Sequence, residues 1–159
     1  MYDMVDFVRE SNRIERIFRD PTDEEVLAHE ILLYKSSVVV EDLIRFVEVI
    51  QPDAVIRDRV GLDVCVGRYI APRGRPGIVD MLSNLLADIG VDSPWQTHCY
   101  YESLHPFTDG NGRSGRALWL WSMAHQGRNS NNFPAPLGFL HEFYYQTLEE
   151  QQISGHISQ

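Results

Sequence analysis

The stretch "LHPFTDGNGRSGR", Leu104 to Arg116, gathers a histidine, an aspartate, three glycines, an asparagine and two arginines into one short segment. Glycines let a backbone approach a ligand closely and turn its N–H groups toward it, so Gly110, Asn111 and Gly112 read as an anion cradle. Where such a loop runs into a helix, the unpaired N–H donors and about half a positive charge at the helix start make a seat for a di- or triphosphate. Arg113 and Arg116 lie three apart, on one side of the first turns, and both guanidinium forks could reach the same phosphate chain. Asp109 would repel that chain unless a cation lay between them. A hard carboxylate oxygen beside phosphate oxygens suits Mg²⁺, which makes Asp109 the expected metal ligand. His105 stands a few residues before the cradle, and its neutral imidazole could take a proton from an attacking hydroxyl near neutral pH. No serine or cysteine lies between the histidine and the cradle, and Thr108 lacks a second base, so direct transfer to an acceptor is favoured over a covalent enzyme intermediate. Base, phosphate seat and metal together imply phosphoryl or nucleotidyl transfer.

These residues need helices on both sides. Met4, Phe7, Val8, Ile14, Ile17 and Phe18 recur at helical spacing, and "DPTDEE" stops that helix and starts the next with Pro21 and an acidic first turn. Val26 to Tyr34 and Val38 to Ile50 supply two further apolar faces, the second ended by Pro52. The region from Gly61 to Gly77 breaks the rhythm, because Leu62, Val64 and Val66 alternate with Asp63 and Cys65 among two prolines and four glycines. It reads as a short hairpin or extended flap. Helical spacing returns over "IVDMLSNLLADIG" and again from Trp95 to Leu104, so the chemistry-bearing motif is expected as a loop between helices. After it, "RALWLWSMAHQG" is apolar on nearly all sides, as a buried central helix would be, and "PLGFLHEFYYQTLEEQQ" gives a closing amphipathic helix. The expected class is all-α, a helical bundle with one hairpin.

At 159 residues and 43% hydrophobic content the chain has the size of one globular domain, taken here as 1–159. A formal net charge of -9 disfavours general nucleic-acid binding and confines any phosphate site to a local cluster. Lys35 is the one lysine and sits in "LLYKSS" without glycines, which excludes a P-loop. Cys65 and Cys99 form no C-x-x-C pair; they could be a bridge or two buried thiols, and a reduced intracellular setting is the simpler reading. No apolar run is long enough for a membrane span and the N-terminus has no signal-peptide pattern, so a cytoplasmic protein without a membrane partner is expected, with delivery into another cell left open.

"HPFTDGNGR" followed by "SGR" resembles the complete H-P-F-x-[DE]-G-N-G-R-x-x-R motif of Fic-domain proteins. "HCYYES" and "FLHEFYYQTL" are similar to that family's flanking helices. The resemblance implies a Fic fold and transfer of AMP from ATP, with Mg²⁺, to a Ser, Thr or Tyr hydroxyl of a target protein. It implies His105 as the base, Asp109 as the Mg²⁺ ligand, Gly110, Asn111 and Gly112 around the attacked phosphorus, and Arg113 and Arg116 on the leaving diphosphate. The related death-on-curing toxins, which phosphorylate, carry lysine in place of the second glycine, so Gly112 argues for AMP transfer. The flap over 61–77 would pair by backbone hydrogen bonds with a target segment, and Arg68, Arg73 and Arg75 could read an acidic one. "SNRIER" resembles the family's inhibitory motif [ST]-x-x-x-E-[GN] through Ser11 and Glu15, with Arg16 where Gly or Asn is expected. It implies an inhibitory helix over 1–19 in which Glu15 pairs with Arg116.

Blander readings stand beside these. An exposed Glu15 to Arg19 pair would need no regulation, and Arg68, Arg73 and Arg75 could simply be solvated. His98 is expected to be structural rather than a metal ligand with His105, and Trp119 and Trp121 to be packing. Tyr144 and Tyr145 could be core or adenine contacts. Another nucleotide donor, a catalytically quiet nucleotide-sensing module and homo-oligomerisation remain open at this point.

Overall fold

The computed structural model describes residues 3–125. In chain order it holds α1 (Met4–Ile14), α2 (Asp23–Leu33), α3 (Val40–Ile50), β1 (Cys65–Val66), β2 (Tyr69–Ile70), α4 (Gly77–Ala87), α5 (Pro94–Leu104) and α6 (Asn111–His125). The helix starts follow local chemistry. Asp3 accepts from Val5 N–H at the head of α1. Thr22 and Glu25 exchange side-chain and backbone bonds in a capping box at α2, and Ser93 caps α5 with Pro94 in its first turn.

The buried helix expected after the motif is α6. Its residues from Ser114 to Ser122 are all buried, and α5 lies against it closely enough that a Cβ on Gly115 would strike the Glu102 carboxylate and meet Tyr101 Cδ1 at 2.9 Å. One apolar core joins Leu43, Phe46, Ile78, Leu82, Tyr101, Phe107 and Leu118 from α3, α4, α5, the motif loop and α6. A second gathers Met4, Phe7 and Val8 of α1 with Trp119 and Leu120 of α6. Full burial of Phe7 and Val8, each worth about 1.5–3 kcal/mol, fastens α1 to the body. Trp119 and Trp121 are thus packing, as expected.

The hairpin is antiparallel with Cys65 opposite Ile70 and Val66 opposite Tyr69, turning at Gly67, whose φ is +58°. Residues 55–57 add an extended edge to the motif loop: Ile56 bridges Phe107, Arg57 N–H donates to Pro106 O, and Val55 and Thr108 bond each other in both directions.

Some expectations are corrected. The first helix is shorter than 1–19 and ends at Ile14, so Ile17 and Phe18 do not continue its apolar face; Phe18 is 76% exposed. The reason is a turn: Arg16 N–H donates to Arg13 O and Ile17 N–H to Asn12 O, the helix-ending pattern that reverses the chain through a left-handed residue, here Arg16 at φ 60°. Cys65 is exposed and Cys99 buried, and both are free thiols, so neither the bridge nor a pair of buried thiols holds. The closing helix, Tyr144 and Tyr145 lie outside the described residues.

Candidate active site

His105 is the C-cap of α5 and itself sits in the left-handed region at φ 51°. Its N–H donates to Tyr101 O, and its Nδ1 lies 3.2 Å from Glu102 O. A carbonyl only accepts, so Nδ1 carries the proton and the lone pair of the neutral ring is on Nε2. Burial, with the Arg57 charge adding to it, lowers the imidazole pKa against the opposing pull of the Glu102 carbonyl and nearby carboxylates. The ring is therefore neutral at neutral pH, as a proton acceptor must be.

From Pro106 the chain runs to Gly110, whose φ of +75° lets it turn directly into α6. The helix starts at Asn111, earlier than the sequence pattern suggests, so Asn111 and Gly112 are its first turn rather than loop. The Asn111 side chain is spent on that turn: Oδ1 accepts from Phe107 N–H at 2.9 Å and Nδ2 donates to Phe107 O at 2.8 Å. Its part in an anion seat is then the backbone N–H, alongside those of Gly112 and Arg113. Asp109 is exposed beside this seat, and its Oδ1 accepts from Gly110 N–H.

The two motif arginines have separate partners. Arg113 donates to Gln51 Oε1 at 2.7 Å and lies 3.6 Å from Glu25, a buried carboxylate that Arg19 grips with both terminal nitrogens. Burial pushes the Glu25 pKa upward, yet the Arg19 bond and its neighbours hold it below the usual range. Arg116, fully buried, donates from Nε to Ser11 Oγ and from Nη2 to both Ser11 O and Glu15 Oε1, the last at 2.7 Å. Arg19 serves Glu25, so the local Glu15–Arg19 pair does not form. The Glu15 carboxylate also covers the first turn of α6, where any Cβ on Gly112 would collide with its Oε1. A carboxylate from α1 thus occupies an anion position at the start of α6.

Around these groups lies a cavity of about 600 Å³. His105, Asp109, Gly110, Gly112, Arg113 and Glu15 all line it, and Val64 to Gly67 of the hairpin form its far wall. Every predicted site residue except Arg116 and Ser11 therefore lines one space, and those two meet each other beside Glu15, which does line it.

Sequence reasoning missed four contributors. Gln51 and Glu25 hold Arg113. Glu102, buried between α5 and α6, is pushed up to about 8 by burial, with Arg116 pulling it down and Glu15 adding to the rise, so it is protonated at neutral pH. Arg57 donates to four backbone carbonyls, two at the histidine and two at the base of the hairpin. The capping-box spacing of Thr22 and Glu25 was the one readable signal, and it speaks for a helix start rather than a site. His98 is structural: buried, neutral, its Nδ1–H directed at Gly115 O, its ring stacked on Trp119. Among the described residues no group of three His, Cys, Asp or Glu side chains could hold a metal by itself.

No curated protein matches the chain. The mostly helical architecture with its small antiparallel hairpin agrees with the Fic fold, and residues 68–123, from the hairpin turn through most of α6, match the Fic/DOC family.

Proposed function

We propose that this Fic-type transferase moves AMP from ATP to a Ser, Thr or Tyr hydroxyl of a target protein, and that α1 restrains it. The observation carrying the reading is that a neutral imidazole, an anion-binding helix start and an exposed aspartate line one cavity. The target hydroxyl oxygen would attack the α-phosphorus as its proton passes to His105 Nε2. The bond from that phosphorus to the diphosphate would break, with the first-turn N–H groups and Arg113 and Arg116 stabilising the departing charge. Asp109 alone cannot hold Mg²⁺, but one carboxylate together with substrate phosphates is a common Mg²⁺ arrangement, so the residues fit a metal that arrives with the nucleotide. When bound, Mg²⁺ would supply charge neutralisation between the phosphates.

Among the described residues the hairpin at the cavity wall is a two-stranded sheet to which an extended target segment could add a strand, and the exposed Arg68 and Arg73 flank it. The restraint rests on Arg116. While Ser11 and Glu15 occupy its guanidinium, a γ-phosphate has no fork to engage, and the nucleotide would settle unproductively.

Mass spectrometry of the protein after incubation with ATP and Mg²⁺ tests the reading. A gain of one AMP supports it; a gain of phosphate alone would assign kinase chemistry instead; neither, even in the Glu15→Gly variant, would favour a nucleotide-sensing module. The same assay with UTP or GTP tests donor choice.

A further inference from the structure

The last carbonyls of a helix lack partners within it and must find them elsewhere. At the end of α5 all are taken. Tyr101 O accepts from His105 N–H, Glu102 O from His105 Nδ1, and Ser103 O from the Tyr69 hydroxyl at 2.8 Å. Leu104 O and His105 O accept from Arg57 Nη2 and Nε at 2.8 and 2.6 Å. The same guanidinium donates from Nη1 to Leu62 O and Pro72 O, which are the two feet of the hairpin. Its backbone bonds both sides as well, to Pro106 O in the motif and from Arg75 N–H beyond the hairpin. Arg57 is 0% exposed, and its charge faces the negative end of the α5 dipole with Asp63 close by.

We infer that Arg57 is a positioning residue that holds His105 in its left-handed cap and fixes the hairpin to it, so that base and target-binding edge move as one unit. Arginine suits the position because its planar fork serves four carbonyls in fixed directions, whereas a lysine ammonium has three donors on a flexible stem. A fully buried cation bonded only to carbonyls is a costly choice if its sole task were packing. Its role in transfer rests on the AMP-transfer reading; the mechanical coupling does not.

Native-state amide exchange tests the coupling in the wild-type chain, where no variant need fold. The amides of Ala71 and Arg75 at the hairpin and of His105 and Thr108 in the motif should share one opening free energy and one denaturant slope. Separate openings would overturn the inference. In Arg57→Lys all four amides should exchange about tenfold faster while those of α2 and α3 keep their protection. Loosening of one side alone would overturn it too. In a Glu15→Gly background, Arg57→Lys should lower the transfer rate constant about 10²-fold with ATP affinity unchanged, the pattern expected of a misplaced base rather than a lost binding contact. Equal transfer by the two proteins, with both sides loosened, would sink the positioning role. If Glu15→Gly transfers nothing from ATP, the proposed function fails and the exchange data still judge the coupling.

Discussion

Two helices end at the same cavity with a non-glycine residue in the left-handed region, α1 at Arg16 and α5 at His105, and no other such residue occurs among those described. Left-handed backbone costs an L-residue about 1–2 kcal/mol, so each is held there by its neighbours. The neighbours differ. At α5 every terminal carbonyl is bonded, two of them to a fully buried guanidinium. At α1 the Ser11 carbonyl is likewise bonded to a buried guanidinium, that of Arg116, but the cap at Arg16 is exposed, Phe18 beyond it is 76% exposed, and the Glu15 side chain that meets the same arginine is 32% exposed. On the proposed reading the end of α5 carries a base, whose geometry must not drift, and the end of α1 a restraint, which is useful only if it can be withdrawn.

Removing the proposed base at the end of α5 should have the largest effect. His105→Ala is expected to reduce transfer by about 10²- to 10⁴-fold while ATP affinity, measured by calorimetry, stays near that of the parent. Loss of nucleotide binding would mean that the imidazole holds the ligand rather than the proton. Because burial lowers the His105 pKa, activity should also persist to a more acidic pH than an ordinary histidine would allow.

At the end of α1, Glu15→Gly should raise self-labelling with labelled ATP by roughly tenfold, the lower range for a charge-assisted bond because one partner is partly solvated. Unchanged labelling would leave α1 without a regulatory part.

The buried titratable groups also differ in their response to pH. Glu102 has a folded-state pKa raised from 4.5 to about 8, so the native protein retains a proton that the unfolded chain loses. Its stability contribution is complete below pH 4.5 and lost as pH rises through 8. His29 and His98 behave oppositely: burial lowers them from 6.5 to about 4 and about 3, so their contribution is present above pH 6.5 and lost as pH falls through those values. Thermal midpoints across pH should show both arms, and Glu102→Gln should flatten the alkaline one. An unaltered alkaline arm in that variant would place the titrating group elsewhere.

The smallest change sharpens the comparison most directly. Arg16→Gly relieves the left-handed cap of α1 and should stabilise the chain by about 1 kcal/mol in denaturant melts, with self-labelling falling further rather than rising. A destabilised variant would show that Arg16 makes contacts that outweigh its backbone strain.

The motif's place as a loop leading into a buried helix was legible because its residues are contiguous: glycines, acid and arginines at fixed offsets admit few conformations, and α6 is marked by apolar residues on all sides. The elements α2 to α5 were legible from periodicity, with ends displaced by a few residues. The junction of Ser11 and Glu15 with Arg116 could be anticipated only from resemblance, since nothing in residues 11–15 indicates which of the chain's arginines they meet. Arg57 could not be found. In "VIRDR" it looks like any loop arginine, and its four acceptors are backbone atoms, which carry no residue identity. Glu102 was hidden for a related reason, because an acid on a helix is ordinarily solvated and only the close approach of Gly115 reveals that this one is not.

The reciprocal bonds between the Asn111 side chain and both backbone groups of Phe107 act as a rivet across the loop. A rivet of this kind shifts the entropic cost of ordering from each encounter to the single event of folding. On the proposed reading an incoming polyanion would meet a stiff socket, and whatever affinity it gained could go toward distinguishing one charged tail from another.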